Sequence, residues 1–140
     1  MPEQRITDAL QKHWEEVKGD RKFPEESDIS PDAIEDIWSN CFLAKSEGGK
    51  FVYSYLGKSI VEAYGDNLEG EEIVEHELYP ESPEVNSKFE EVAKTGEPIK
   101  FEGAFINRNN MDIKFRKVLL PLGKDGKVEY IIGGMRWRAF

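Results

Sequence analysis

Lys100-Phe-Glu-Gly-Ala-Phe-Ile-Asn-Arg108, Met111-Asp-Ile-Lys-Phe-Arg-Lys-Val-Leu-Leu-Pro-Leu122 and Lys127-Val-Glu-Tyr-Ile-Ile-Gly-Gly-Met-Arg-Trp137 decide the fold. Each run is rich in Phe, Ile, Val and Tyr and contains apolar/polar alternation, the pattern of half-buried strands. Asn109-Asn110 and Gly123-Lys-Asp-Gly126 punctuate them with residues that tolerate the positive φ of tight hairpins. The expected product is a three-stranded antiparallel meander. Such a sheet cannot bury its own faces, so the upstream chain must extend or cover it.

Upstream, Ile6, Leu10, Trp14 and Val17 recur at spacings of four, four and three, one stripe of an amphipathic helix. Two readings compete: the helix packs on its own domain, or these four residues also seal a homodimer. The sequence divides into this flanking helix, residues 1–21, and a domain over 22–140. Ser30-Pro31-Asp32 has the composition of a helix start, with Ser30 supplying the capping oxygen. Cys41-Phe-Leu-Ala44 and Phe51-Val-Tyr-Ser-Tyr-Leu-Gly57 read as strands joined by a turn at Ser46 to Lys50. Lys58 to Gly65 reads as a short helix, Glu71 to Tyr79 as another, and Ser82-Pro83-Glu84 as the start of a longer one carrying Val85, Phe89, Val92 and Ala93.

The 140 residues suit one domain, and the net charge of −9 argues against nucleic acid or an anionic membrane as the main partner. Lys114, Arg116, Lys117, Arg136 and Arg138 nevertheless fall on neighbouring strands and form a candidate basic patch. Cys41 is the only cysteine, which excludes an internal disulfide and a cysteine-based zinc cluster. No run approaches the ~20 apolar residues of a membrane span. A soluble cytoplasmic protein is expected.

Two strands, a helical middle and three strands form the layout of the PAS domain, and particular residues carry the resemblance. Phe51-x-Tyr53-x-Tyr55-Leu-Gly57 with Tyr64-Gly65-Asp-Asn-Leu-Glu-Gly70 resembles the passage from the second PAS strand into its short helices. Val92-Ala-Lys-Thr-Gly96-Glu-Pro98 resembles the long helix entering the third strand, and Lys124 to Gly133 resembles the final hairpin. Trp14, Phe23-Pro24 and Asp28-Ile-Ser-Pro31 are similar to a family of stand-alone PAS proteins common in alphaproteobacteria. That family often carries Arg where this chain has Glu26. The resemblance implies an α+β fold: a five-stranded antiparallel sheet in the order 2-1-5-4-3, with a helical middle enclosing a pocket on one face and the N-terminal helix on the other. It implies a sensory or regulatory module that binds a small molecule or a signalling protein and has no catalysis of its own. No kinase, cyclase or helix-turn-helix output fits in the remaining residues.

The chemistry available is sparse. His76 stands near the place where haem-binding PAS domains carry their iron ligand, but Glu75 and Glu77 flank it, so no cofactor is expected and haem is the weaker reading. His13 reads as a surface residue. Cys41 is outside the helical middle and lacks the Asn-Cys-Arg setting of flavin-binding PAS domains, so it reads as a buried apolar side chain. Asp66, Asp112 and the glutamates of 69–77 lack the alternating spacing of a calcium loop and read as a solvated acidic face, with no metal expected. Strand alternation places Phe51, Tyr53 and Tyr55 on one face. It also groups Phe101, Gly103, Phe105 and Asn107, and Ile113, Phe115 and Lys117, with Lys114 and Arg116 opposite. Alternation alone leaves open which face meets the helices. Tyr55, Tyr64, His76, Asn107, Phe115 and Arg116 are the pocket candidates. Two other functions compete: a small cone-shaped isomerase or dehydratase, using Asp112 or His76 with Tyr55 as acid and base, and a pure dimerisation domain built on Trp14.

Overall fold

A computed structural model describes residues 6–73 and 85–139. Five strands form one antiparallel sheet in the order β2-β1-β5-β4-β3, as the sequence leads one to expect. They are β1 (Cys41–Glu47), β2 (Lys50–Leu56), β3 (Ile99–Ile106), β4 (Asp112–Lys124) and β5 (Lys127–Ala139). Helices α3 (Lys58–Tyr64) and α4 (Val85–Thr95) cover the inner face, and α1 (Ile6–Lys18) lies on the outer one; α2 (Glu35–Trp38) is a single turn leading into β1.

The strands of β4 and β5, 13 residues each, form the longest pairing, from Ile113↔Ala139 to Lys124↔Lys127. Along β4 the odd positions Ile113, Phe115, Lys117 and Leu119 point inward, and the even positions Lys114, Arg116, Val118 and Leu120 point outward. The inner face is built of rings. Phe42 packs on Phe89 with centroids 6.1 Å apart, Tyr53 on Tyr64 at 6.2 Å, Tyr64 on Phe105 at 5.5 Å and Phe105 on Phe115 at 5.7 Å. The Phe42 ring lies directly over Gly133, its cross-strand neighbour, where any Cβ would overlap it.

On the outer face, Leu10 rests on Gly134 and Trp14 is 3% exposed. The Trp14 indole donates from Nε1 to the carbonyl oxygen of Pro121 at 2.8 Å. Pro121 is tolerated within β4 because pairing with β3 runs only as far as Ile99↔Leu119. The edge of β4 that would have needed the missing N–H is therefore open, and the carbonyl on that edge goes to Trp14. At the opposite side of the sheet, residues 70–73 lie along β2. Gly70 donates to Tyr53 O at 2.7 Å, Tyr53 to Glu71 O at 3.1 Å and Ile73 to Phe51 O at 2.8 Å, so the edge of β2 is closed.

Three expectations change. Glu71, Glu72 and Ile73 begin no helix; they belong to this extended edge segment, and the rest of the expected helix, from residue 74, lies outside the described residues, as does the Ser82-Pro83-Glu84 start. Ser30 offers no side-chain cap: Pro31–Ile34 is a 3-10 turn. Instead, the Ser30 backbone N–H donates to His13 Nε2 at 3.2 Å. His13 is thus no surface residue but 8% exposed, docking α1 onto the connector.

Trp14→Ala is expected to cost about 3–5 kcal/mol in urea unfolding, the range for emptying a buried aromatic site. His13 generates a pH dependence. Desolvation by burial lowers its pKa below 6.5, with Glu16 opposing, and Nε2 accepts a bond only while unprotonated. Its contribution is therefore present above the unfolded value and lost as pH falls through the folded one. Stability should decline from pH 7 to pH 5, and less so in His13→Gln.

Candidate ligand site

The sheet sorts the sequence-derived candidates onto two faces. Tyr64 and Phe115 lie on the inner face, each packed on Phe105, and Asn107 is bonded there to the carbonyl of Ala63, the neighbour of Tyr64. Arg116 points outward, where Nε donates to Glu102 Oε2 at 3.0 Å. Tyr55 is also outside. The register shift between Leu43 and Ala44 sets Tyr55 opposite Leu43 and Tyr53 opposite Ala44, leaving Ser54 as an extra residue in β2. This bulge turns Tyr55 away from Tyr53 and stacks it on Trp38, centroids 4.9 Å apart and planes 13° apart. The expectation that Tyr55 shares a face with Tyr53 and Phe51 is not met. Burial pushes its phenol pKa up. His76 lies outside the described residues.

Asn107 is 5% exposed and is committed to architecture. Its Nδ2 donates to Ala63 O at 3.0 Å, while Oδ1 accepts the N–H groups of Asn109 and Met111 at 2.9 Å each. Arg108 N–H adds a bond to Tyr64 O at 3.1 Å. The β3–β4 hairpin is thereby clamped to the end of α3, which stops at Gly65 in the left-handed region with φ 78°.

The sequence places Lys117 in the basic patch and not among the pocket candidates, although its phase in β4 matches Phe115; the structure turns it inward, away from the other four cations. It is 1% exposed. Its ammonium lies 3.4 Å from the Tyr64 hydroxyl, and ring centroids surround it: Phe115 at 4.8 Å, Phe101 at 5.7 Å, Phe42 and Tyr64 at 5.9 Å. The ring faces present negative quadrupole density to the cation. The result is a cationic centre inside the aromatic layer between sheet and helices.

The remaining chemistry is dispersed. Cys41 pairs with Gly134 on the outer face and is buried; its thiol donates to Ile37 O at 3.3 Å, and burial pushes its pKa up to about 12. That suppresses the thiolate at neutral pH. Asp112 is exposed at the start of β4, and β2, which carries Tyr55, is three strand spacings away, about 14 Å. The structure does not bring that acid–base pair together. The acidic stretch is tied to its neighbours: Asp66 binds Arg108 at 2.7 Å, Glu72 faces Lys50 at 3.5 Å, and Glu69 accepts the Leu56 N–H at 2.9 Å. Among the described residues, no group of three His, Cys, Asp or Glu is placed to hold a metal ion, and no helix is long and apolar enough to cross a membrane. Of the expected dimer contacts, Leu10 and Trp14 are buried in their own chain, and Ile6 and Val17 are half-buried.

Residues 3–136 match the family model described as PAS domain. Among curated proteins, none matches the chain. Similar solved structures include the LOV protein of Rhodobacter sphaeroides, 12% identical, with a TM-score of 0.59 over 78% of this chain and 68% of that one. The LOV domain of a blue-light activated histidine kinase from Erythrobacter litoralis is 14% identical, with a TM-score of 0.58 over 71% and 95%. The N-terminal domain of a diguanylate cyclase with a PAS/PAC sensor from Marinobacter aquaeolei is 22% identical, with a TM-score of 0.53 over 69% and 93%. At these identities the likeness is one of fold.

Replacing Asn107 by Ala removes three bonds from a buried hairpin and is expected to cost about 2–4 kcal/mol. Chemical denaturation measures this. A cost below about 0.5 kcal/mol would mean that the clamp is dispensable.

Proposed function

The chain belongs to the PAS domain family, and we propose that it works as a sensory or regulatory module, binding a small molecule or a signalling protein and passing the signal on. The observation that best supports this reading is Lys117. A cation at that depth costs more than an apolar side chain of the same length, even when it is well paired. An aromatic layer that served packing alone would be better filled by Leu or Met. The ammonium, with the Tyr64 hydroxyl beside it, supplies an orienting polar contact in an apolar surround, which is how ligand sites gain specificity. In this proposal α1, packed on the opposite face of the same strands, carries the change outward, because a shift in β4 moves the Pro121 carbonyl that holds Trp14.

A native mass spectrum and an absorption spectrum of the protein as purified from cells test the proposal, alongside Lys117→Met. The variant should remain folded by circular dichroism and should lose the ligand mass or the ligand-dependent change in oligomeric state. An apo mass in the wild type, with an unchanged spectrum and oligomeric state in Lys117→Met, would count against the inner face as the sensing site.

A further inference from the structure

The outer face has two halves. One is apolar and lies under α1; the other is open. The open half is a concave groove of about 720 Å³ lined by Glu102, Ala104, Lys114, Arg116, Arg136 and Arg138. A smaller hollow of about 230 Å³ shares Glu102 and Arg116 with it and reaches Thr7 and Asp8 of α1. There the ion pair of Lys100 with Asp8, at 2.7 Å, pins the helix to the sheet.

The register sets the cations of the groove in pairs. Lys114 stands directly opposite Arg138, and Arg116 directly opposite Arg136. Cross-strand partners on one face have Cβ atoms about 5 Å apart, and like charges so placed are destabilising. Successive outward residues along a strand are about 7 Å apart. Four cationic side chains thus rise from a rectangle of about 5 by 7 Å, and the one carboxylate among the described lining residues, Glu102, is engaged by Arg116 at 3.0 Å. The described residues that line the groove carry a formal charge of +3 on a chain whose net charge is −9, so the rest of the chain holds −12.

We propose that this groove binds a small polyanion bearing phosphate groups. Three features select that class. The volume falls in the range of small-molecule sites. Three of the four cations are arginines, whose planar forks match phosphate oxygens two at a time. The cations are close together: a compact anion inside the groove lies within about a Debye length of all four. The anion would also relieve the repulsion between the paired cations. This proposal concerns the face opposite Lys117 and stands independently of the inner site.

Isothermal titration with inorganic tripolyphosphate at 50 mM salt tests it. Saturable one-site binding is expected, weakened at least tenfold in Arg116→Gln/Arg136→Gln and unchanged in Lys124→Gln, which alters an exposed hairpin lysine outside the groove. The substituted side chains lie on the open half of the sheet, so circular dichroism should show both variants folded. Without the anion, Arg136→Gln should melt about 1–3 °C above wild type, because a like-charge pair is gone. Tripolyphosphate should raise the wild-type Tm and leave the double variant unchanged. No binding, or binding unaffected by the double substitution, overturns the proposal. So does tighter binding of a single-stranded 12-nucleotide DNA or of a hexaglutamate peptide, which would reassign the groove to a macromolecular partner.

Discussion

The alternation of β4 is the constraint on which the rest of the molecule depends. Its odd positions must satisfy an aromatic interior, and its even positions must satisfy both a helix and open solvent. Because the side-chain period of a strand is two, a slip of one residue would send Lys114 and Arg116 into the ring layer and Phe115 into water. Two features fix the register against that slip. The Asn107 clamp locks the hairpin at one end of the strand, and the Trp14–Pro121 bond anchors the other. With β4 set, β5 follows by pairing, and the Phe42 ring finds the space that Gly133 leaves. Both sites described above are consequences of the same alternation seen from its two sides.

The sequence was most legible where pattern and turn chemistry agreed. The three runs between Lys100 and Trp137 became β3, β4 and β5, Gly65 ended α3, and the sheet order followed from the family resemblance. It was least legible where one residue broke the count. The bulge at Ser54 cannot be read from Phe51-Val-Tyr-Ser-Tyr, since nothing in that text marks Ser54 as extra; Tyr55 therefore changed faces. His13 looked like a surface residue because its partner, the Ser30 N–H, lies 17 residues away in a connector without periodicity. Asn107 was visible as a polar group in an apolar strand, but its bonds to Ala63, Asn109 and Met111 make it a clamp. Lys117 had a signal in its phase with Phe115, masked by the habit of reading lysine as solvated. Charge patterning was informative once the register was known: the clustering of Lys114, Arg116, Arg136 and Arg138 is a statement about pairing that composition does not carry.

The pairing of β1 with β5 also shapes how the chain reaches this structure. Cys41 pairs with Gly134, 93 residues further along, while β1 pairs with β2 through a turn of a few residues. During synthesis the β1–β2 hairpin emerges early, at a pace of about 5–20 residues per second. The segment 70–73 arrives next and closes the outer edge of β2. The β1 edge has to stay unsatisfied until β5 is made, several seconds later, and an open edge is a template for the wrong partner. The order of strands in space therefore sets a waiting time for β1, during which the nascent chain is most exposed to mispairing, and it is the last strand made that fills the middle of the sheet.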